Sequence, residues 1–321
     1  MSPAAAVVFL SILFPVKGWV ASNQPINIDV KAEAPITLVL TDFTGKPLDA
    51  DANADVGSAM TVDVKKVFKE LAQPGTYLLY ATPKGTDLSK TNEVLRFVGT
   101  PLVIDVREDP RREAQPGPMV TRIEPLRYAV IHTDKGDMTC AFYYDVAPGT
   151  VENFLSLASD GFYDGLSFFR IVPGMLIQTG DPRGDGTGGP GYHIEAEFNN
   201  RQHSEGVMSM ARQIDPIEKQ GAAPRTEAAN SAGSQFFMCL SYDNCKQLDR
   251  RYTAFGRVTH GLDVMQAIGA VPVGGAGNDS PKTPVIVKQV EILPVMHDKN
   301  PYLEILSFAK PAALPTTLPL K

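Results

Sequence analysis

The sequence predicts a mainly β protein built from two domains. Short runs rich in Val, Ile, Leu, Tyr and Phe recur along residues 24–105 and again along 124–295, and Gly, Pro, Asn and Asp turns separate them. Only two longer stretches of the second region, Val151–Ser159 and Leu262–Ile268, read as helices. The chain has 321 residues, more than the ~100–200 of a usual single domain.

Composition narrows the function classes. Hydrophobic residues make up 43% and charged residues 21%, ordinary for a soluble globular chain. A net charge of −6 argues against a nucleic-acid partner, since phosphate neutralisation needs a basic stripe. Pairs such as Lys65-Lys66 and Arg111-Arg112 are short and have acids nearby. Of the three cysteines, Cys140 and Cys239 lie in apolar runs and read as small buried hydrophobes. A Cys239–Cys245 pairing is the alternative, which the odd count disfavours. No cysteine or histidine has zinc spacing, and His132, His193, His203, His260 and His297 are scattered positions that read as surface or core. Neither a metal nor a cofactor is expected.

Residues 1–22 carry two readings. Ala4–Val16 has the size of a signal h-region, with Val20-Ala21-Ser22 before a cleavage point. Alternatively, Phe14–Val20 is the first strand of the folded domain. The run falls short of the ~20 apolar residues of a stable membrane span. Location therefore stays open between exported or periplasmic and cytoplasmic.

Residues 23–106 form the first domain, a β-sandwich. Ile26–Val30, Ile36–Thr41, Tyr77–Thr82 and Leu102–Val106 read as strands, with turns at Thr44-Gly45-Lys46-Pro47 and Gln73-Pro74-Gly75 and a short helix at Val64–Leu71. Pro74-Gly75-Thr76-Tyr77 ahead of Leu78-Leu79-Tyr80 resembles the late strand of an immunoglobulin-like sandwich. No titratable cluster marks this region, so it reads as a spacer or docking domain. Prolines, charges and absent periodicity make 107–123 a linker, and four prolines mark 296–321 as a C-terminal tail docked by Tyr302–Phe308.

The second domain spans 124–295. Tyr128–Thr133 and Met138–Tyr144 form a hairpin about Lys135-Gly136. Thr150 is expected to cap the helix Val151–Ser159, whose Val151, Phe154, Leu155 and Ala158 share a face, with Gly161 beyond its end. Strands follow at Ser167–Ile171, Leu176–Thr179, Gly206–Ala211, Ser234–Leu240 and Thr253–Val258; the helix Leu262–Ile268 precedes a closing strand, Val285–Leu293. Many short strands with two helices predict a closed antiparallel barrel with helical caps, which leaves no open edge.

Several separated motifs then carry a resemblance. Phe168-Phe-Arg-Ile-Val-Pro-Gly-Met-Leu-Ile-Gln-Thr-Gly-Asp181 comes first, followed by Gly186-Thr-Gly-Gly189. Gly206-Val-Met-Ser-Met-Ala-Arg212 and Ser231-Ala-Gly-Ser-Gln-Phe-Phe237 continue it, and Leu248-Asp249 with Tyr252-Thr-Ala-Phe-Gly-Arg-Val258 completes it. Their types and order resemble the cyclophilins, peptidyl-prolyl cis–trans isomerases, and in particular bacterial-looking members. The resemblance covers about half the chain and implies an eight-stranded closed barrel that rotates Xaa–Pro bonds to assist folding.

The chemistry of that rotation says what to look for. A prolyl bond has a barrier of ~18–20 kcal/mol from amide resonance. Twisting it returns the lone pair to the prolyl nitrogen, so a catalyst needs a donor near that nitrogen, a dry pocket for the ring and a grip on the neighbouring backbone. Arg170 is the expected donor, because a guanidinium set among Phe168, Phe169, Ile171 and Val172 stays charged. Strand alternation places Gln235 and Phe237 on one face and Phe236 on the other, and likewise pairs Leu176 with Gln178. The resemblance then makes Phe237 the pocket floor and Phe236 core. It gives Met175, Leu176 and Leu248 as walls, Gln178 as a partner of substrate or Arg170, and Gln235 beside it. Ala211 would leave room for the residue before proline, and the main chain of Arg212 would pair with an extended peptide.

Three departures stand out: Gln247 at the position of the usual tryptophan, Tyr252 at that of the usual histidine, and a long stretch, Gln213–Asn230, overhanging the groove. Gln247 and Tyr252 are retained as expected substrate contacts. Gly184–Gly191 lacks the Gly-Lys-Ser/Thr of a phosphate loop, and Ser209, Ser231 and Ser234 lack a Gly-x-Ser-x-Gly setting. Two function classes follow: an isomerase acting on proline-containing polypeptides, or a proline-segment binding module. A protein partner would dock through the first domain or the 213–230 loop. Nothing in the sequence demands more than a monomer.

Overall fold

The computed structural model describes residues 10–12, 17–22, 24–32, 34–48, 53–85, 101–108, 119–275, 278–296 and 298–303. The first nine strands are β1 (Leu10–Ile12), β2 (Lys17–Ala21), β3 (Ile26–Lys31), β4 (Ile36–Asp42), β5 (Asn53–Val56), β6 (Ala59–Asp63), β7 (Gly75–Pro83), β8 (Leu102–Arg107) and β9 (Met119–Pro125). They build a four-stranded sheet, β1-β9-β3-β6, and a five-stranded sheet, β2-β8-β7-β4-β5. Ile26, Ile28 and Val30 alternate into one core with Ile36, Leu38 and Leu40 from the other sheet. Tyr77 is buried there, and its hydroxyl lies 3.0 Å from the carbonyl of Glu70 and 3.1 Å from that of Gln73.

Strand β9 corrects the expected linker. Met119–Ile123 pair with β3 in parallel, and Ile123–Pro125 pair with β1. Arg107 closes β8, and the remainder of the proline-rich stretch, 109–118, lies outside the described residues. Of the N-terminal readings, Leu10–Ile12 and Lys17–Ala21 are strands, while 1–9 and 13–16 lie outside the described residues.

The second region contributes β10 (Arg127–Thr133), β11 (Gly136–Phe142), β12 (Arg170–Val172), β13 (Leu176–Thr179), β14 (Val207–Met210), β15 (Phe236–Cys239) and β16 (Ala254–His260). A short ribbon, β17 (Val273–Gly275) and β18 (Asn278–Pro281), precedes β19 (Val287–Pro294). Eight strands form one antiparallel sheet in the order β12-β13-β15-β14-β16-β11-β10-β19. The segments preceding the two end strands meet: Phe168 N–H donates to the Val285 carbonyl at 2.9 Å, and Ser167 bridges Ile286. Helices α1 (Pro148–Ser159) and α2 (Leu262–Gly269) pack Phe154, Leu157, Met265 and Ile268 into the core. The rings of Phe142, Phe236 and Phe255 lie 5.3–5.5 Å from that of Phe154.

Thr150 does not cap α1 from outside. Pro148 opens the helix, where its missing N–H costs nothing, and Thr150 lies within the first turn. The exposed amides are satisfied from afar: the Glu197 carboxylate accepts from Gly149 N–H at 3.0 Å and from Thr150 N–H and Oγ1–H at 2.7 Å each. A carboxylate there also suits the positive end of the helix. At the C-terminal side, Tyr302 docks as expected, donating to the Arg127 carbonyl at 2.7 Å and accepting from Phe142 N–H at 3.1 Å. Residues 304–321 lie outside the description.

Candidate active site

Strand register aligns the site. Arg170 on β12 faces Gln178 on β13, Gln178 faces Phe237 on β15, and Phe237 faces Ser209 on β14. Directly opposed residues project to the same side of a sheet, so four adjacent strands present one row of side chains. The alternate residues Ile177, Phe236 and Met238 enter the main core, while Leu176, Phe237 and Cys239 form a second apolar cluster on the other face. Phe236 is therefore core, as alternation predicts.

That second face floors a cavity of about 1000 Å³, lined among others by Arg170, Met175, Leu176, Gln178, Phe237 and Tyr252. Ala211, Arg212, Gln235 and Leu248 also line it. Phe237 is only 3% exposed, its ring edge-on to Tyr252 with centroids 5.6 Å apart and stacked on His203 at 6.1 Å. Met175, Leu248 and Tyr252 pack around it as half-buried walls. Burial pushes the Tyr252 phenol upward, so it stays protonated at neutral pH.

A chain of hydrogen bonds runs along one side of the cavity. Arg170 Nε–H donates to Asp279 Oδ2 at 3.1 Å, and Nη1–H donates to Gln178 Oε1 at 3.2 Å. Gln178 Nε2–H donates to Gln235 Oε1 at 3.0 Å. Gln235 Nε2–H in turn donates to the carbonyls of Gly186 and Gly188 at 3.1 and 2.8 Å. Each amide is thereby fixed in orientation by its neighbours. The glycine loop is itself organised by Asp181, 2% exposed, which accepts from the amides of Arg183, Asp185 and Gly186. Gly186–Gly189 thus acts as a structural anchor for Gln235.

Behind the floor lies an array that residue spacing did not reveal. His203 is wholly buried, with Nδ1 at 2.9 Å from Asp249 Oδ1 and Nε2 at 3.1 Å from Ser209 Oγ. The carboxylate can only accept, so Nδ1 carries the proton and Nε2 accepts from the hydroxyl. Burial lowers the imidazole pKa against the opposing pull of Asp249, keeping the ring neutral at pH 7. With Ser209 and His203 both fully buried, the array braces Phe237 from behind, and only its Asp249 carboxylate, 24% exposed, meets solvent.

Gln247 is a correction. It does not line the cavity, and its side-chain amide turns back to donate to the Asn244 carbonyl at 2.6 Å. The tight turn Lys246–Leu248 directs Leu248, not Gln247, toward the apolar cluster. Arg212 is held in place by its side chain. Its guanidinium is 2% exposed, bound to Glu218 at 2.6 Å and to the Arg251 carbonyl, and lies 4.5 Å above the Tyr252 ring. Among the described residues its main-chain N–H and C=O have no partner, which leaves them open to a peptide.

The 213–230 stretch is folded rather than loose. A 3-10 turn, Pro216–Gln220, carries a capping box between Asp215 and Glu218, and Arg225 grips both oxygens of Asp215 at 2.8 and 3.0 Å. Arg225 holds the Asp215 carboxyl well below the usual carboxylate range. A depressed folded value means that stabilisation is complete above about pH 4 and is lost as pH falls through the folded value. Backbone order over 215–225, read from heteronuclear NOE, is expected to hold from pH 7 to 5 and to fall only in stronger acid. Asp215→Asn should lower it at pH 7. Loss of order already at pH 6 would contradict the assignment.

Comparison with known proteins places the geometry in a class. Residues 128–292 match the family model "Cyclophilin type peptidyl-prolyl cis-trans isomerase/CLD". The chain belongs to that family. A peptidyl-prolyl cis-trans isomerase of Synechococcus elongatus is 42% identical over 132 residues, covering 41% of this chain and 80% of its own length. One from Helicobacter pylori is 39% identical over 145 residues (44% and 79%), and peptidyl-prolyl cis-trans isomerase B of Bacillus subtilis is 43% identical over 123 residues (38% and 75%).

Proposed function

We infer that the chain accelerates rotation about Xaa–Pro bonds by non-covalent stabilisation of the twisted amide. The observation that carries this reading is that the guanidinium of Arg170, bonded to Gln178, which is itself bonded to Gln235, lines the same cavity as the buried ring of Phe237. A planar amide nitrogen has no available lone pair, whereas the twisted one accepts a hydrogen bond. The donor therefore acts in the transition state and contributes little to the ground state. Removing a preorganised donor of this kind typically costs about 2.7–4 kcal/mol of barrier lowering, or ~100–1000-fold in rate. Phe237, Leu176, Met175 and Leu248 receive the proline ring, and exclusion of water there also favours the less polar twisted amide. The open main chain of Arg212 pairs with the residue before proline in an extended arrangement, for which Ala211 leaves room.

Proline-containing polypeptides are the substrates, and the chain works as a monomer assisting folding. The eight-stranded sheet closes into a barrel, supported by the Ser167–Ile286 bridge. The first region is an immunoglobulin-like sandwich, supported by its two sheets and by the Tyr77 hydroxyl reaching back to Glu70 and Gln73. It serves as a docking domain.

The test is refolding of a protein whose slow phase is limited by a prolyl bond, on the uncatalysed scale of ~10–100 s. The slow-phase rate should rise in proportion to added chain. Binding of the refolding protein without acceleration would favour a proline-segment binding module instead.

A further inference from the structure

Arg170 offers five N–H donors in a rigid fork. Gln178 occupies one Nη1 proton and Asp279 occupies Nε–H, while Nη2 has no partner among the described residues. A guanidinium gripped at Nε and at one Nη1 proton cannot swing about its long side chain, so the direction of the remaining donors is set. Gln178 belongs to the neighbouring strand of the sheet. Asp279 comes from the β17–β18 ribbon, a separate two-stranded sheet 109 residues further along the chain. The pair is half exposed, 42% for Arg170 and 38% for Asp279, so its value is orientation rather than bulk stability.

Resting on the isomerase reading, we infer that Asp279 is a positioning residue that aims the free Nη edge of Arg170 at the prolyl nitrogen. It touches no substrate and acts through Arg170. The fork geometry explains why a carboxylate suits this place: it accepts from Nε–H in the guanidinium plane and, with Gln178 on Nη1, leaves Nη2 clear. The ribbon is then part of the catalytic apparatus although it lies outside the eight-stranded sheet.

The experiment measures kcat and KM for prolyl isomerisation of a short Xaa–Pro peptide with the full chain and four variants: Asp279→Ala, Asp279→Asn, Arg170→Ala and the Asp279→Ala/Arg170→Ala double variant. Asp279→Ala should lower kcat ~10-fold, about one decade of rate, with KM within about twofold of wild type. Asp279→Asn keeps an acceptor for Nε–H and should recover most of the loss. In the Arg170→Ala background the Asp279→Ala change should have no further effect, a readout that general damage to the ribbon would not reproduce. Unchanged or raised kcat in Asp279→Ala, or an equal loss in both backgrounds, would overturn the inference while leaving the isomerase reading in place. A folded wild-type chain without activity would overturn both.

Discussion

Arg170→Ala is expected to lower kcat ~100–1000-fold, the range for losing one preorganised donor, while the affinity for an Xaa–Pro peptide changes less than about threefold. The split follows from where the interaction exists. On the proposed mechanism Arg170 finds little to donate to while the amide is planar, and the apolar pocket and the Arg212 main chain would hold the peptide in either case. Arg170→Lys should recover only part of the loss. Lysine retains the charge but cannot bind Asp279 and Gln178 at once while presenting a further in-plane donor. Stopped-flow isomerisation together with peptide titration gives both quantities. Equal losses in kcat and affinity would assign Arg170 to uniform binding.

Phe237→Ala should fail differently. The ring is 3% exposed and contacts both Tyr252 and His203, so truncation removes the pocket floor and uncovers the array behind it. Burying an alanine in its place costs about 3–5 kcal/mol by the usual scale for Phe→Ala. The value should lie near the lower bound, because one side of the ring faces the cavity. The melting temperature of the second region should fall about 6–12 °C. Catalytic efficiency should drop ~100-fold, with KM rising, since on the proposed mechanism the proline would lose its apolar seat. Phe237→Leu keeps an apolar floor and should lose far less of both. A Phe237→Ala variant with wild-type KM would show that the proline sits elsewhere.

Particular residues show what local sequence could and could not convey. Alternation in Gln235–Leu240 separated Phe237 from Phe236, and the structure places one under the cavity and the other in the ring cluster of α1. The same period paired Leu176 with Gln178. These assignments succeeded because side-chain direction in a strand depends only on the local backbone. Gln247 departs from the expectation because a motif fixes only its place along the chain, whereas a tight turn decides where that side chain points. Thr150 is a cap residue by type, but Pro148, two residues earlier, is the better sign of a helix start.

Long-range pairing was illegible for a physical reason. Nothing within Met119–Pro125 states that it will join β3 and β1, some 90 to 115 residues away, and its proline-rich, charged surroundings resemble a linker. Asp279 lies in a Gly- and Asn-containing run that reads as a turn, and its meeting with Arg170 depends on the whole intervening topology. His203, a surface or core position by sequence, is core, but its partners Asp249 and Ser209 come together only through the tertiary fold.

The most direct test of the central claim is NMR exchange spectroscopy on a short Xaa–Pro peptide with catalytic amounts of the wild-type chain. Cis–trans exchange should accelerate from the uncatalysed tens of seconds to many events per second. The free peptide should keep its cis:trans ratio, since a catalyst lowers the barrier in both directions equally. Amide shifts should move at Ala211, Arg212 and Gln235, which line the cavity. A peptide that perturbs those amides yet exchanges at its uncatalysed rate would contradict the claim, leaving a proline-binding groove whose guanidinium does not reach the prolyl nitrogen.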